Sequence, residues 1–158
     1  MLTGGAGQFY GNSYTWSFKA GWQSHLDTPG AAQLKIWKEF FTALPWQELI
    51  PDQNHSILTA GFGAKGTFET RVSQSDYATA AATADGSFVV VYMPTARTVT
   101  IKIPAARSSR RARWFDPTNG TYQDIPRSHF AKGSSEQFTP SEKNHDGDSD
   151  WVLLLDAL

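Results

Sequence analysis

Residues 87–93, Ser-Phe-Val-Val-Val-Tyr-Met, follow directly on Asp85-Gly86 and make a nearly continuous apolar run. An Asp-Gly pair matches the two-residue hairpin turn, because that turn needs positive φ. β-branched and aromatic residues suit a pleated strand. The run therefore predicts a strand, and its lack of polar alternation predicts burial on both faces. Around it the chain offers more strands. Residues 77–84 form a small-residue strand before the turn, and residues 98–103 alternate so that Val99, Ile101 and Ile103 point one way. Residues 110–115 come next and are closed by the turn Asp116-Pro117-Thr118-Asn119-Gly120; residues 122–125, 136–138 and 150–155 follow. Residues 128–135 and 140–149 read as loops, and no fixed-period repeat is present. Short strands with turn residues between them predict a mainly β fold, an antiparallel β-sandwich or barrel-like sandwich.

Before residue 52 the pattern differs, so the chain divides into residues 1–51 and 52–158. Residues 4–16 interleave glycines with Phe9, Tyr10, Tyr14 and Trp16. Glycine permits turns and close approach, and aromatic rings offer flat amphipathic faces. That mixture suits a pocket wall rather than a polar, free terminus, as though the chain started in the middle of something. Asp27-Thr28-Pro29-Gly30 then signals a helix, with Asp27 or Thr28 as cap and Pro29 in the first position. Through residues 31–44, Leu34, Trp37, Phe41 and Leu44 recur at helical spacing; Ile36 and Phe40 widen the stripe, and Lys35, Lys38 and Glu39 face away. Leu44-Pro45 ends the helix, and residues 45–51 read as one short helical turn bounded by prolines. The wide stripe needs a cover, either the later part of the chain or a second copy.

At 158 residues without cysteine, the chain can bury roughly 70% of its unfolded surface and needs no disulfide or metal staple. A net charge of -1 gives no general attraction to nucleic acid or to an anionic membrane, and neither is an expected partner. No apolar run is long enough to span a bilayer. Met1-Leu2-Thr3 leads into glycines, so no signal peptide is read here. The deviation is aromatic content, 13% with six Trp, a bias that suits either an aromatic β core or the stacking of sugar rings.

The candidate contacts for a sugar are Tyr10, Asn12, Tyr14, Trp16 and Trp22, with Trp16 as stacking platform and Asn12 as hydroxyl partner. A glycosidase needs two opposed carboxylates, but Asp27, Glu39 and Glu48 read as cap, solvent face and linker, so no catalytic residue is assigned. Trp114 and Trp151 read as core residues, although with Tyr122 they could make a flat binding face. Asp146, Asp148 and Asp150 are spaced as in a calcium loop, yet Trp151 stands where its glycine belongs and no closing glutamate follows. A polar turn is the better reading. His25, His55, His129 and His145 share no ligand spacing, so no metal or other cofactor is expected. The basic cluster at residues 107–113, with Arg111 and Arg113 on the face of Phe115, reads as a charged sheet edge.

Several short motifs, in this order, add a resemblance. Gly4-Gly5-Ala6-Gly7-Gln8-Phe9-Tyr10-Gly11-Asn12, Trp16, Trp22, Leu26-Asp27-Thr28-Pro29-Gly30-Ala31, Leu44-Pro45-Trp46, Pro51-Asp52, Asp85-Gly86-Ser87, Tyr92-Met93-Pro94, Trp114-Phe115-Asp116-Pro117 with Gly120, and Asp150-Trp151-Val152-Leu153 follow one another through nearly the whole chain. Together they resemble the C-terminal part of bacterial glycoside hydrolases built as a (β/α)8 barrel followed by a small β-sandwich. That group includes the apiosidases of glycoside hydrolase family 140, and its sandwich is labelled a collagen-binding domain of a collagenase. The resemblance implies that the opening stretch is the end of the last barrel strand with its loop, where such active sites lie. It also implies that residues 29–44 are the last outer helix, with the stripe toward the barrel wall. The catalytic acids of that group lie on earlier barrel strands, outside this sequence. The expectation is thus a strand-loop-helix remnant of a barrel plus an accessory sandwich that supports carbohydrate binding, inactive alone, from a secreted or periplasmic parent. A stand-alone module for polysaccharide or collagen, or a purely structural domain, is the alternative, and a homo-oligomer could form through the helix stripe.

Overall fold

A computed structural model describes residues 2, 10–67, 75–105, 109–127 and 129–157. Residues 4–9 of the glycine-rich stretch and Arg107 of the basic cluster lie outside the described residues. The strand that most constrains the sequence also sits in the middle of the structure. β4 (Phe88–Met93) lies between β3 (Thr79–Thr83) and β9 (Trp151–Ala157), antiparallel to both. The six-stranded sheet continues outward through β1 (Leu49–Pro51) on one side and through β6 (Arg110–Phe115) and β7 (Tyr122–Ile125) on the other, in the order β1-β3-β4-β9-β6-β7. A second antiparallel sheet has the order β2-β5-β8, from β2 (Leu58–Ala60), β5 (Val99–Lys102) and β8 (Ser135–Phe138). The described chain is therefore mainly β, with two antiparallel sheets arranged as in a β-sandwich and one α-helix.

Burial on both faces follows from this layout. Val89, Val91 and Met93 of β4 join Trp151, Leu153 and Leu155 of β9 and Val99 and Ile101 of β5 in one core between the sheets. Trp114 and Trp151 both lie in that core, their rings edge to face with centroids 6.5 Å apart, as expected. The alternate residues Phe88, Val90, Val152 and Leu154 face the other way into a second apolar cluster. Its cover is α1 (Pro29–Thr42), which contributes buried Phe40 and Phe41 and half-buried Ile36 and Trp37. Phe40 packs on Phe115 of β6 at 4.3 Å between ring centroids. Of the two expected covers for the helix stripe, the sandwich is the one observed.

The 3-10 turn Trp46–Glu48 is followed not by more helix but by β1, which pairs Ile50 with Ala82 of β3. β1 is an edge strand, where the missing N–H of Pro51 costs no ladder bond. β2 was not foreseen, since three residues carry no readable periodicity. Residues 84–87 connect β3 to β4 with a wider loop than the two-residue turn, because side chains close it. The Thr83 hydroxyl donates to Asp85 Oδ1 at 2.7 Å, the Ser87 N–H donates to the same oxygen at 2.9 Å, and the Phe88 N–H donates to Thr83 Oγ1 at 3.1 Å. Gly86 adopts φ 66 there, and a Cβ on it would meet Pro104 at 2.5 Å.

The basic cluster is not a sheet edge. β6 is interior and β7 is the edge. Asp156, registered opposite Arg111 on β9, accepts from Arg111 at 3.1 Å and from Arg113 at 3.2 Å, so the neighbouring strand gives the two guanidiniums one shared carboxylate. Arg110 points the opposite way and is buried, with Nη2 donating to the Pro104 carbonyl at 3.3 Å.

Two measurements check this account. Phe40→Ala is expected to lower unfolding stability by about 3 kcal/mol in urea titrations, the cost of a large buried ring, whereas exposed Lys35→Ala changes it by less than about 0.5 kcal/mol. The Thr83 hydroxyl and the Ser87 N–H and hydroxyl hold the Asp85 carboxyl down at about 2. A depressed carboxyl stabilises above its unfolded value, and that contribution disappears as pH falls through the folded one. Asp85→Asn is therefore expected to lower Tm at neutral pH, with the difference from the parent shrinking below about pH 4 and vanishing near pH 2.

Candidate functional site

Residues 10–28 precede the helix and are braced by short-range polar contacts. Asn12 Oδ1 accepts the Tyr14 and Thr15 N–H groups at 3.0 and 2.9 Å, while its Nδ2 donates to the His25 carbonyl at 3.2 Å. Both ends of the amide are thus engaged in folding the segment, and Asn12 shapes the loop. The Tyr10 hydroxyl shares a 2.8 Å hydrogen bond with the Thr28 hydroxyl. Thr28 is the helix N-cap by position but makes no side-chain cap bond; its hydroxyl is committed to Tyr10 instead. Gly30 allows this approach, since a Cβ there would come within 2.8 Å of the Tyr10 ring.

The brace leaves a set of aromatic rings at the surface. Trp16 is 84% exposed and Phe18 is 71% exposed. Tyr14 stacks on His25 with centroids 3.7 Å apart and planes 9° from parallel, so one of its faces is covered. Trp22, half-buried, meets Phe18 edge to face at 5.3 Å. The sequence reading named Tyr14, Trp16 and Trp22 but not Phe18 or His25. Phe18 takes φ 48, a conformation that neither hydrophobicity nor spacing announces. The partnership of His25 with Tyr14 depends on the turn that Asn12 closes.

Tyr10 also lines a cleft of about 950 Å³ between α1 and the outer face of the large sheet, together with Gln33, Trp37, Tyr92, Lys143 and Asp150. Asp150 accepts from Asn144 Nδ2 at 2.8 Å and from the Tyr92 hydroxyl at 3.4 Å. Burial, and then the charge of Asp148, hold the Asp150 carboxyl above its ordinary value. Burial and the neighbouring Asp150 charge push Tyr92 up to about 12. An aspartate raised in a cleft is the kind of group that can hold a proton for general-acid work. Asp148 is the other carboxylate on the cleft wall, and it belongs to the same turn as Asp150. Asn144 ties that turn together, exchanging backbone hydrogen bonds with residues 147 and 148 and accepting the Asp148 N–H on its side chain at 2.9 Å. Two acids on one wall do not straddle a glycosidic bond as a hydrolytic pair must. Among the described residues, no group of three His, Asp or Glu side chains could hold a metal ion, and no helix is long and apolar enough to cross a membrane.

Tyr122, on edge strand β7, packs against Phe115 at 5.0 Å and lies under the Arg113 guanidinium at 4.7 Å. With Trp114 and Trp151 buried, these three aromatics do not form a flat face.

The comparisons with known proteins fall on this same architecture. A solved structure named a glycoside hydrolase has a TM-score of 0.64 and 25% identity, covering 88% of this chain and 28% of its own. A glycoside hydrolase family 5 structure from Bacteroides vulgatus ATCC 8482 also has a TM-score of 0.64, at 24% identity, covering 94% of this chain and 29% of its own. The chain thus spans under a third of the length of either, and it has the fold of a glycoside hydrolase-associated domain. No curated protein matches it. The family described as "Putative collagen-binding domain of a collagenase" matches residues 67–156, more than half of the chain, and the chain belongs to that family.

Proposed function

We propose that this chain is the non-catalytic C-terminal portion of a glycoside hydrolase, in which the sandwich braces a carbohydrate site and residues 10–25 form one wall of it. The observation that carries this reading is the reach of the structural likeness. It extends over 88% and 94% of the chain, well beyond the family match at residues 67–156, so α1 and residues before it belong to the shared part. On this reading the opening segment and α1 are the last strand-loop-helix unit of a (β/α)8 barrel related to the family 140 apiosidases, and the parent enzyme is secreted or periplasmic. Catalytic acids come from the rest of the parent. Trp16 is the stacking platform, because an exposed indole offers an apolar face to the C–H side of a sugar ring. Tyr14, stacked on His25, and Trp22, edge-on to Phe18, belong to the same loop; Asn12 fixes that loop and Tyr10 ties it to the helix. The family's description favours collagen as the second reading, with the same exposed rings as contacts.

Affinity electrophoresis and calorimetry against a panel of neutral polysaccharides and fibrillar collagen test both readings. Retardation by a polysaccharide that Trp16→Ala weakens about tenfold, or 1.4 kcal/mol, is the expected result. Asn12→Ala is expected to weaken the same binding while speeding amide exchange at Tyr14 and Thr15, whose acceptor it removes. Binding to collagen alone would replace the carbohydrate reading, and binding to neither would leave a structural domain.

A further inference from the structure

Beside β1 and the start of β3 lies a second hollow of about 250 Å³ lined by Pro51, Gln53, His55, Lys65 and Tyr77; it adjoins the first cleft at Leu2 and Thr79, and none of residues 10–28 lines it. Its floor is set by Asp52. Oδ1 accepts the Ser56 N–H at 2.7 Å and the Ser56 hydroxyl at 2.9 Å, and Oδ2 accepts the Ile57 and Leu58 N–H groups at 3.0 and 2.8 Å. The tight turn places His55 at φ 54, where glycine would be at ease and an imidazole side chain is strained. The strained residue carries a ring that is put to use. It packs on Phe62 at 4.3 Å, and its Nε2 lies 3.0 Å from the Tyr77 hydroxyl.

The opposite wall is equally fixed. The Ala78 N–H donates to the Phe62 carbonyl at 2.7 Å, the Ala64 N–H to Asp76 Oδ1 at 2.6 Å, and Arg97 pairs with the other oxygen of Asp76. Phe62 and Tyr77 are thereby held with their rings 17° from parallel. Lys65 Nζ stands 4.9 Å from the centre of the Tyr77 ring and has no carboxylate partner among the described residues. Among the described residues the nearby acids are already occupied, Asp52 by its own turn and Asp76 by Arg97. Among the described residues the hollow therefore presents an ammonium with no carboxylate partner, an imidazole, a phenol and the exposed Gln53 amide around an aromatic wall.

We propose that this hollow is a second binding site, taking an acidic saccharide unit with its carboxylate or sulfate at Lys65 and Gln53 and its ring against His55 and Tyr77. The saccharide half rests on the carbohydrate reading above, whereas the anionic half rests on the Lys65 ammonium at the Tyr77 ring, which has no carboxylate partner among the described residues. The chain's net charge of -1 gives no general pull on polyanions, so retention by one reports a local site.

The test is affinity electrophoresis of the 158-residue chain in gels carrying polygalacturonate, dextran sulfate or neutral dextran. Retardation by an acidic polymer is expected, and the choice between the two distinguishes carboxylate from sulfate recognition. Lys65→Met is expected to weaken that retardation about tenfold and to remove its salt dependence. His55→Gly is expected to weaken it similarly while leaving Tm unchanged or higher, because glycine relieves the positive φ; the loss then cannot be misfolding. Trp16→Ala is expected to leave it untouched, so the two sites fail separately. Retardation by neither acidic polymer, or retardation that survives both Lys65→Met and His55→Gly, would overturn the site.

Discussion

The two-sided burial of β4 and β9 is the constraint from which the rest of the architecture follows. Alternate residues of these paired strands fill two different cores: Val89, Val91, Leu153 and Leu155 face the small sheet, and Val90, Val152 and Leu154 face the helix. Each large aliphatic side chain buried this way contributes about 1.5–3 kcal/mol, and only while its face is covered. A sandwich of two sheets covers one face, so the outer face of the large sheet needs another layer. α1 supplies it through Phe40 and Phe41. The physical unit therefore includes residues before the family match at 67–156, since without the helix a wide apolar surface on β4, β6 and β9 would meet water.

The polar residues follow a second economy. Asn12, Asp52, Asp85, Asp116 and Asn144 each accept backbone N–H groups of a nearby turn or loop. Asp116 shows the pattern. Burial pushes its carboxyl up, but the Thr118 hydroxyl and the N–H groups of Thr118 and His145 outweigh burial and hold it below the ordinary value. Side chains spent in this way fix loops and are not available for a ligand. At the surface stand aromatic faces at residues 14–22 and Lys65 above Tyr77, which has no carboxylate partner among the described residues.

Much of the fold was legible because periodicity and turn chemistry report local geometry. The apolar run at 88–93 gave a strand buried on both sides, Pro29 marked the helix start, and Trp114 and Trp151 read correctly as core. β1 and β2 were not legible, since strands of three residues are defined by the partner they pair with and not by their own pattern. The reading of Arg111 and Arg113 as an edge failed for a related reason. Edge and interior strands can carry the same residues, and only the placement of Asp156 on β9 tells them apart.

For the candidate sites, the sequence by itself determined which aromatic residues cluster before the helix and that no opposed pair of acids accompanies them. It could not show that Asn12 spends its amide on the loop, that Tyr14 has one face on His25, or that His55, Lys65 and Tyr77 surround one hollow. Those facts depend on contacts across 10 to 22 positions of chain. Local pattern fixes which way a side chain points along its own strand or helix; which groups meet, and whether a charge finds a partner, is decided only when distant segments pack.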